Sequence, residues 1–265
     1  MDSATLEILT SKFLTGGFIF IRILGMFASA PVFRSTAIKT KVKIMLAAIL
    51  AMIMTNVFAE NQPAIEFELF NVTVIALKEF FFGVLIGYTA NLVFFAARFA
   101  GGIIDMEMGY NTSTLFDISN VSPTLVGEFK DLIALMLFFL INGHHQLIES
   151  LYLSFQIVPI SKFSISAVTI QLLVKMVVTV FILAIKFASP VLVALFCSNL
   201  SLALLARVAP QTNIFMLSFQ VKIAVGLTML FTMVPLLVYI IKWALQNFQS
   251  QTMDIILTLN QSGAV

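Results

Sequence analysis

Long apolar stretches constrain this chain more than any other feature, because a helix that crosses a bilayer core needs about 20 mostly apolar residues. Six stretches stand out, at residues 13–31, 44–58, 69–99, 132–141, 168–208 and 214–243. The ten residues of 132–141 are too few for a good span. Pro190 interrupts 168–208, which predicts a kinked helix or a hairpin. We therefore predict an all-α integral membrane protein built of helical hairpins, some of them kinked or broken.

The composition supports a membrane protein and excludes several other classes. The chain is 60% hydrophobic and 11% charged, whereas soluble domains contain roughly 25% charged residues. Its 15 Lys and Arg are scattered and the net charge is +2, so the sequence shows no basic patch of the kind that binds nucleic acid. A single cysteine, Cys197, allows neither an internal disulfide nor a cysteine-based metal cluster.

Polar side chains inside the apolar stretches are the most informative exception to this pattern. A charge at the bilayer centre costs at least about 2.5 to 3.5 kcal/mol on insertion scales. The polar residues in question are Arg22, Lys78, Glu79, Asn142, His144, His145, Lys175, Lys186, Asn199 and Lys222. Three interpretations stay open: they line a wet pathway, they pair at subunit contacts, or these helices do not lie in the hydrocarbon.

Spacing along the helices adds two predictions. Lys175 and Lys186 are eleven residues apart, about three helical turns, so an unbroken helix would place both on one face. Gly83 and Gly87 have the small-xxx-small spacing that lets helix backbones approach closely, and Ala97 and Gly101 repeat it. We expect these small residues to pack against neighbouring helices.

No catalytic, cofactor or metal site is predicted. The chain contains no G-x-S-x-G, Walker A, H-E-x-x-H or dinucleotide motif. His144 and His145 are adjacent, so on a helix they point about 100° apart and cannot share a metal as an i, i+4 pair could. Lys78-Glu79 could be a transporter-type relay, or each residue could pair with a different helix.

The longest polar insert, about residues 101–131, is the candidate functional loop. We expect the preceding helix to end at Gly101-Gly102, because glycines allow the chain to bend. Methionine is a flexible gap-filler that repacks against varied surfaces, as a seal that opens for many substrates would need. An ordinary loop with packed methionines is the alternative. The candidate seal residues are Met106, Met108, Gly109, Phe116 and Asp117.

Four blocks, in order along nearly the whole chain, resemble the FliR family. They are Arg22–Gly25 with Ala30–Phe33, Gly101–Gly109, Asn142–His145 with Ser154-Phe155 and Pro159, and Leu205–Phe215. The block containing Ala-Arg-Val-Ala-Pro-Gln is the most specific. Two departures are Lys39, where the family often has proline, and Phe116-Asp117-Ile118, where it has a Phe-Asp-Pro-like turn.

The resemblance implies a single membrane domain, residues 1–265, that is a non-enzymatic subunit of a type III export gate in the bacterial inner membrane. Its implied partners are FliP-like and FliQ-like subunits, an FlhB-like switch subunit and unfolded flagellar proteins of the basal body. In the family, hairpins stack as a spiral raised largely out of the bilayer, and a central loop, here about Met106 to Asn120, plugs the closed pore.

The residues expected at subunit contacts or in a buried polar network are Arg22, Lys78, Glu79, Lys175, Lys186, Arg207 and Gln211. Two alternatives stay open: a gate subunit of an injectisome, and an ion-coupled small-molecule transporter.

Overall fold

A computed structural model describes residues 3–34, 38–58, 69–110, 124–163, 166–211 and 213–260. In these ranges the chain forms eight helices and no strand, which confirms the all-α prediction. The helices are α1 (Ser3–Ser29), α2 (Pro31–Arg34), α3 (Thr40–Phe58), α4 (Leu69–Met108), α5 (Leu125–Leu140), α6 (Gly143–Ile157), α7 (Ala167–Val208) and α8 (Ile214–Asn260).

Five of the eight described helices are long and apolar enough to cross a membrane: most of α1, and α3, α4, α7 and α8. The stretch 132–141 lies in α5, which has 16 residues and is followed by the 15-residue α6. The prediction that this stretch is too short for a span is confirmed. Asn142 joins the two short helices in a left-handed conformation, with a φ of 58°.

Three helix boundaries differ from the sequence prediction. The expected helix end at Gly101-Gly102 is wrong, because α4 continues to Met108. The insert 101–131 is also helical from Leu125 onward. The helix expected to finish near Trp243 extends to Asn260.

Residues 168–208 form one helix, not a hairpin, although Pro190 lies inside α7. A proline cannot donate the backbone hydrogen bond to the carbonyl four residues earlier. That carbonyl belongs to Lys186, and it accepts a hydrogen bond from the Ser189 hydroxyl at 3.4 Å. A neighbouring side chain thus satisfies the carbonyl that the proline leaves unpaired, as is common in membrane helices.

The chain divides into two compact units: unit 1 holds Met1–Leu92, Asn142–Met176 and Leu245–Val265, and unit 2 holds Val93–Ile141 and Val177–Ala244. The helices α4, α7 and α8 contribute to both. Aromatic pairs occupy the interior of each unit. Phe82 stacks on Phe163 in unit 1, with centroids 5.3 Å apart. Phe94 meets Phe138 edge to face in unit 2, at 5.8 Å.

Glycines allow α1 and α4 to cross in direct backbone contact within unit 1. A Cβ at Gly83 would overlap the carbonyl oxygen of Arg22, and one at Gly25 would overlap the carbonyl oxygen of Phe80. A Cβ at Gly87 would meet the carbonyl oxygen of Met26. Because backbone atoms cannot rotate away as side chains can, no larger residue fits without moving a helix.

Gly83→Ala should therefore destabilise the protein by about 1 to 3 kcal/mol, the usual cost of overpacking. Gly17→Ala is the matched control, because a Cβ at Gly17 meets nothing within 4 Å and alanine favours a helix. The measurement is the thermal unfolding midpoint of the purified protein in detergent. Equal midpoints for the two variants would contradict the close crossing.

Candidate functional site

The described ranges contain no group of three His, Cys, Asp or Glu residues that could hold a metal ion. The rings of His144 and His145 lie 4.2 Å apart, tilted by 44°. The candidate functional features are instead two buried polar clusters, one in each unit, and the end of α4 that leads into residues 111–123.

The first cluster surrounds Arg22, which is fully buried in unit 1. Its Nε donates a hydrogen bond to Glu79 Oε2 at 2.6 Å. One terminal nitrogen donates to the Ser154 hydroxyl at 3.1 Å, and the other donates to the carbonyl oxygen of Val158 at 3.3 Å. One guanidinium thereby ties together α1, α4 and α6.

Two aromatic rings also contact this guanidinium, and its counter-ion Glu79 accepts a second hydrogen bond. Its central carbon lies 4.0 Å from the ring centroid of Phe155 and 4.4 Å from that of Phe82, within the range of cation–π attraction. The second carboxylate oxygen of Glu79 accepts the backbone N–H of Ser161 at 3.2 Å. Both ions are completely excluded from solvent.

The structure separates Lys78 from Glu79, as adjacent helical residues require. Glu79 is buried against Arg22, whereas Lys78 is exposed. The other predicted contact residues, Lys175, Lys186, Arg207 and Gln211, are also exposed within the single chain. Their assignment to subunit contacts stays a prediction.

The end of α4 in unit 2 combines an exposed and a buried methionine. Met106 is 73% exposed, whereas Met108 is fully buried against Gly226 of α8. Gly109 then leaves the helix with a φ of +86°, a conformation that suits glycine, beside the ring of Phe219. The remaining candidate seal residues, Phe116 and Asp117, lie outside the described residues.

The second cluster joins α4 to α5 in unit 2. The Asp105 carboxylate accepts the backbone N–H of Val126, with distances of 3.0 and 3.3 Å to its two oxygens. Lys130 is fully buried, and its ammonium donates to the carbonyl oxygen of Phe187 at 3.2 Å. Burial lowers the pKa of Lys130 to about 8, while the negative charge of Asp105 acts in the opposite direction.

Asp105 and Lys130 both fall in the polar insert 101–131, and the sequence pattern did not single out either residue. A signal for Lys130 was present, because it follows Val126 and precedes Ala134 and Phe138 at four-residue intervals. That spacing places it on the apolar face of a helix. The role of Asp105 depends on a contact 21 residues away.

Breaking the Arg22 pair should be costly, because removing one partner leaves the other charge buried and unpaired. Arg22→Met is expected to lower the free energy of unfolding by about 3 to 5 kcal/mol. The double variant Arg22→Met with Glu79→Leu should recover at least half of that loss. Denaturant unfolding in detergent provides the measurement.

The control for this prediction is the half-exposed pair Arg98–Asp131, 2.9 Å apart. Asp131→Asn is expected to cost about 0 to 1 kcal/mol. An Arg22→Met variant as stable as Asp131→Asn would show that the buried pair does not hold unit 1 together.

Comparison with known proteins places the chain in a family. Residues 13–248 match the family described as bacterial export proteins, family 1. The flagellar biosynthetic protein FliR of Escherichia coli K12 is 30% identical over 220 residues, which cover 82% of this chain and 83% of that protein. FliR of Pectobacterium carotovorum is 32% identical over 219 residues, covering 82% and 83%.

The chain is also similar to a protein named for a different process, the translocation of Yop proteins. The Yop proteins translocation protein T of Yersinia pestis is 30% identical over 171 residues, which cover 63% of this chain and 65% of that protein. The family match nevertheless spans most of the chain, and the flagellar relatives are similar over more of it. The chain therefore belongs to the FliR family of bacterial export proteins.

Proposed function

We propose that this type III export-gate subunit catalyses no reaction. It forms part of the wall of a closed pore through which unfolded flagellar proteins are exported. The observation that carries the proposal is the exposed apolar surface of its long helices. Only 17% of the apolar span of α8 and 22% of that of α3 are buried within the chain. Such surfaces need cover from lipid or from other apolar helices.

Neighbouring subunits provide that cover in the proposed assembly, together with the bacterial inner membrane. FliP-like and FliQ-like membrane proteins would pack against the exposed helices, and an FlhB-like switch subunit would join them. Arg207, in the last turn of α7, and Gln211, in the turn that follows, are both exposed where such a contact could form. Lys175 and Lys186 are further exposed candidates on α7.

The flagellar assignment is favoured over an injectisome by the extent of similarity, 82% of the chain for two FliR proteins against 63% for the Yersinia protein. The transporter alternative requires Glu79 to exchange its partner during transport. The short hydrogen bond from Arg22 and the complete burial of the pair disfavour that role.

The proposed closed state places residues from about Met106 to Asn120 in the pore as a plug. The exposed Met106 and the buried Met108 support this assignment. The buried Met108 holds the end of α4 in place, and the exposed Met106 leaves an apolar side chain free to contact a passing protein. Methionine side chains can repack when different cargoes pass.

Deletion of the gene should abolish filament assembly, swimming motility and secretion of flagellar subunits, and the wild-type gene should restore all three. Glu79→Gln provides a second strain that separates the alternatives. Loss of effector secretion with intact motility would instead support an injectisome. Loss of solute uptake in the Glu79→Gln strain, with the gate assembled and filaments present, would support a transporter.

A further inference from the structure

Pro190 creates a weak point in α7, within unit 2. Because proline has no backbone N–H, the carbonyl of Lys186 lacks its helical partner. The Ser189 hydroxyl donates to that carbonyl at 3.4 Å, which is longer than the usual O–H···O bond of about 2.5 to 3.0 Å. Sharp bends in helices occur mostly at prolines. The turn of residues 186–190 is therefore the place where α7 bends at the lowest cost.

Lys130 of α5 binds α7 within this same turn. Its ammonium donates a hydrogen bond to the carbonyl oxygen of Phe187 at 3.2 Å. Phe187 directly follows Lys186, whose carbonyl the proline leaves without a partner, and it is itself buried. Lys130 is completely excluded from solvent, so water does not compete for the bond. A charged donor makes such a bond stronger than one between neutral groups.

Contacts between α4 and α5 hold Lys130 in place. The negative charge of Asp105 on α4 attracts its ammonium. Gly101 lies against the backbone of Gly127, where a Cβ would overlap main-chain atoms. Two turns after Lys130, the ring of Phe138 is fully buried. Since α5 is anchored on α4 in this way, Lys130 offers the turn of α7 a fixed point of attachment.

A narrow cleft leaves room for the same turn to move. The cleft has a volume of about 10 Å³, and it lies between Pro190 and Val191 of α7 and Leu230 and Leu237 of α8. That is close to the space that one water molecule requires. Closely packed interiors resist displacement of a helix. Unfilled space beside the proline turn lowers the cost of bending, so a contact from another helix is needed to hold the turn.

We propose that Pro190 makes the turn of residues 186–190 a hinge in α7, and that Lys130 is the positioning residue that holds this hinge through the carbonyl of Phe187. The part of α7 after the hinge, residues 191–208, carries the exposed Arg207 in its last turn. Lys130 thereby fixes where α7 presents Arg207. The inference concerns movement within this chain and does not depend on the pore proposed above.

The distance between two spin labels, one on each side of Pro190, measures the bend by pulsed electron paramagnetic resonance. Cys197 is the single cysteine of the chain, is exposed, and lies seven residues after Pro190. Ile182→Cys adds a second exposed site eight residues before the proline. An unbroken helix separates the two positions by about 22 Å, at 1.5 Å per residue. The full chain is purified in mild detergent with the subunits that accompany it, in cysteine-free form.

Four variants of this labelled chain are compared with the unmodified one. Lys130→Met removes the donor and retains an apolar side chain of similar length. Pro190→Ala restores the N–H that pairs with the carbonyl of Lys186. The third variant combines both changes. Asp131→Asn is the matched control, because Asp131 is the next residue of α5 and pairs with Arg98 instead.

Lys130→Met should raise the fraction of distances outside the wild-type peak about tenfold, the factor that a hydrogen bond to a charged group contributes to an equilibrium. Pro190→Ala should give one narrow peak, because its helix has no hinge. The double variant should match Pro190→Ala, since nothing is left for Lys130 to hold. Asp131→Asn should match the unmodified chain.

A wild-type distribution in Lys130→Met would overturn the inference. A distribution as broad in the double variant as in Lys130→Met would also overturn it, because Lys130 would then support the general packing of unit 2 and not the hinge. If Lys130→Met does not assemble, the combination with Asp105→Asn removes both buried charges and replaces it under the same criteria. Intact flagellar export after deletion of the gene would reject the proposed pore and leave these distances unaffected.

Discussion

The guanidinium of Arg22 sets a requirement that the surrounding helices of unit 1 meet. Burying an ionised group away from water costs several kcal/mol unless opposite charges, hydrogen bonds and aromatic rings replace its hydration. Glu79 supplies the charge, Ser154 and the carbonyl of Val158 supply acceptors, and Phe155 covers one face. Since these partners lie on different helices, one side chain specifies how α1, α4 and α6 pack.

Close backbone approach makes such clusters possible. Gly83 lies against the carbonyl of Arg22, so α4 comes near enough for Glu79, one turn earlier, to reach the guanidinium. In unit 2 the contact of Gly101 with Gly127 has the same effect for Asp105 and the first turn of α5. In the proposed gate, helices fixed in this way would present their apolar faces to other subunits.

Much of the helix content followed from the sequence, because apolar runs of this length have few other stable forms in a membrane. Residues Arg22 and Glu79 were identifiable as polar groups in apolar stretches, but their pairing depends on a contact 57 residues apart. The helix end was misplaced at Gly101 because glycine favours bends locally. In the structure Gly101 instead allows α5 to approach α4 closely, because it lies against the backbone of Gly127. Phe116 and Asp117 remain predictions.

In the proposed assembly, sister subunits cover the exposed apolar helices of this chain. The most direct measurement compares the chain expressed alone in detergent with the chain co-expressed with FliP-like and FliQ-like subunits, by size-exclusion chromatography with light scattering and by thermal unfolding. We predict that the chain alone aggregates or unfolds at a much lower temperature, and that co-expression yields one large stable complex. A monodisperse, equally stable monomer that binds neither subunit would contradict it.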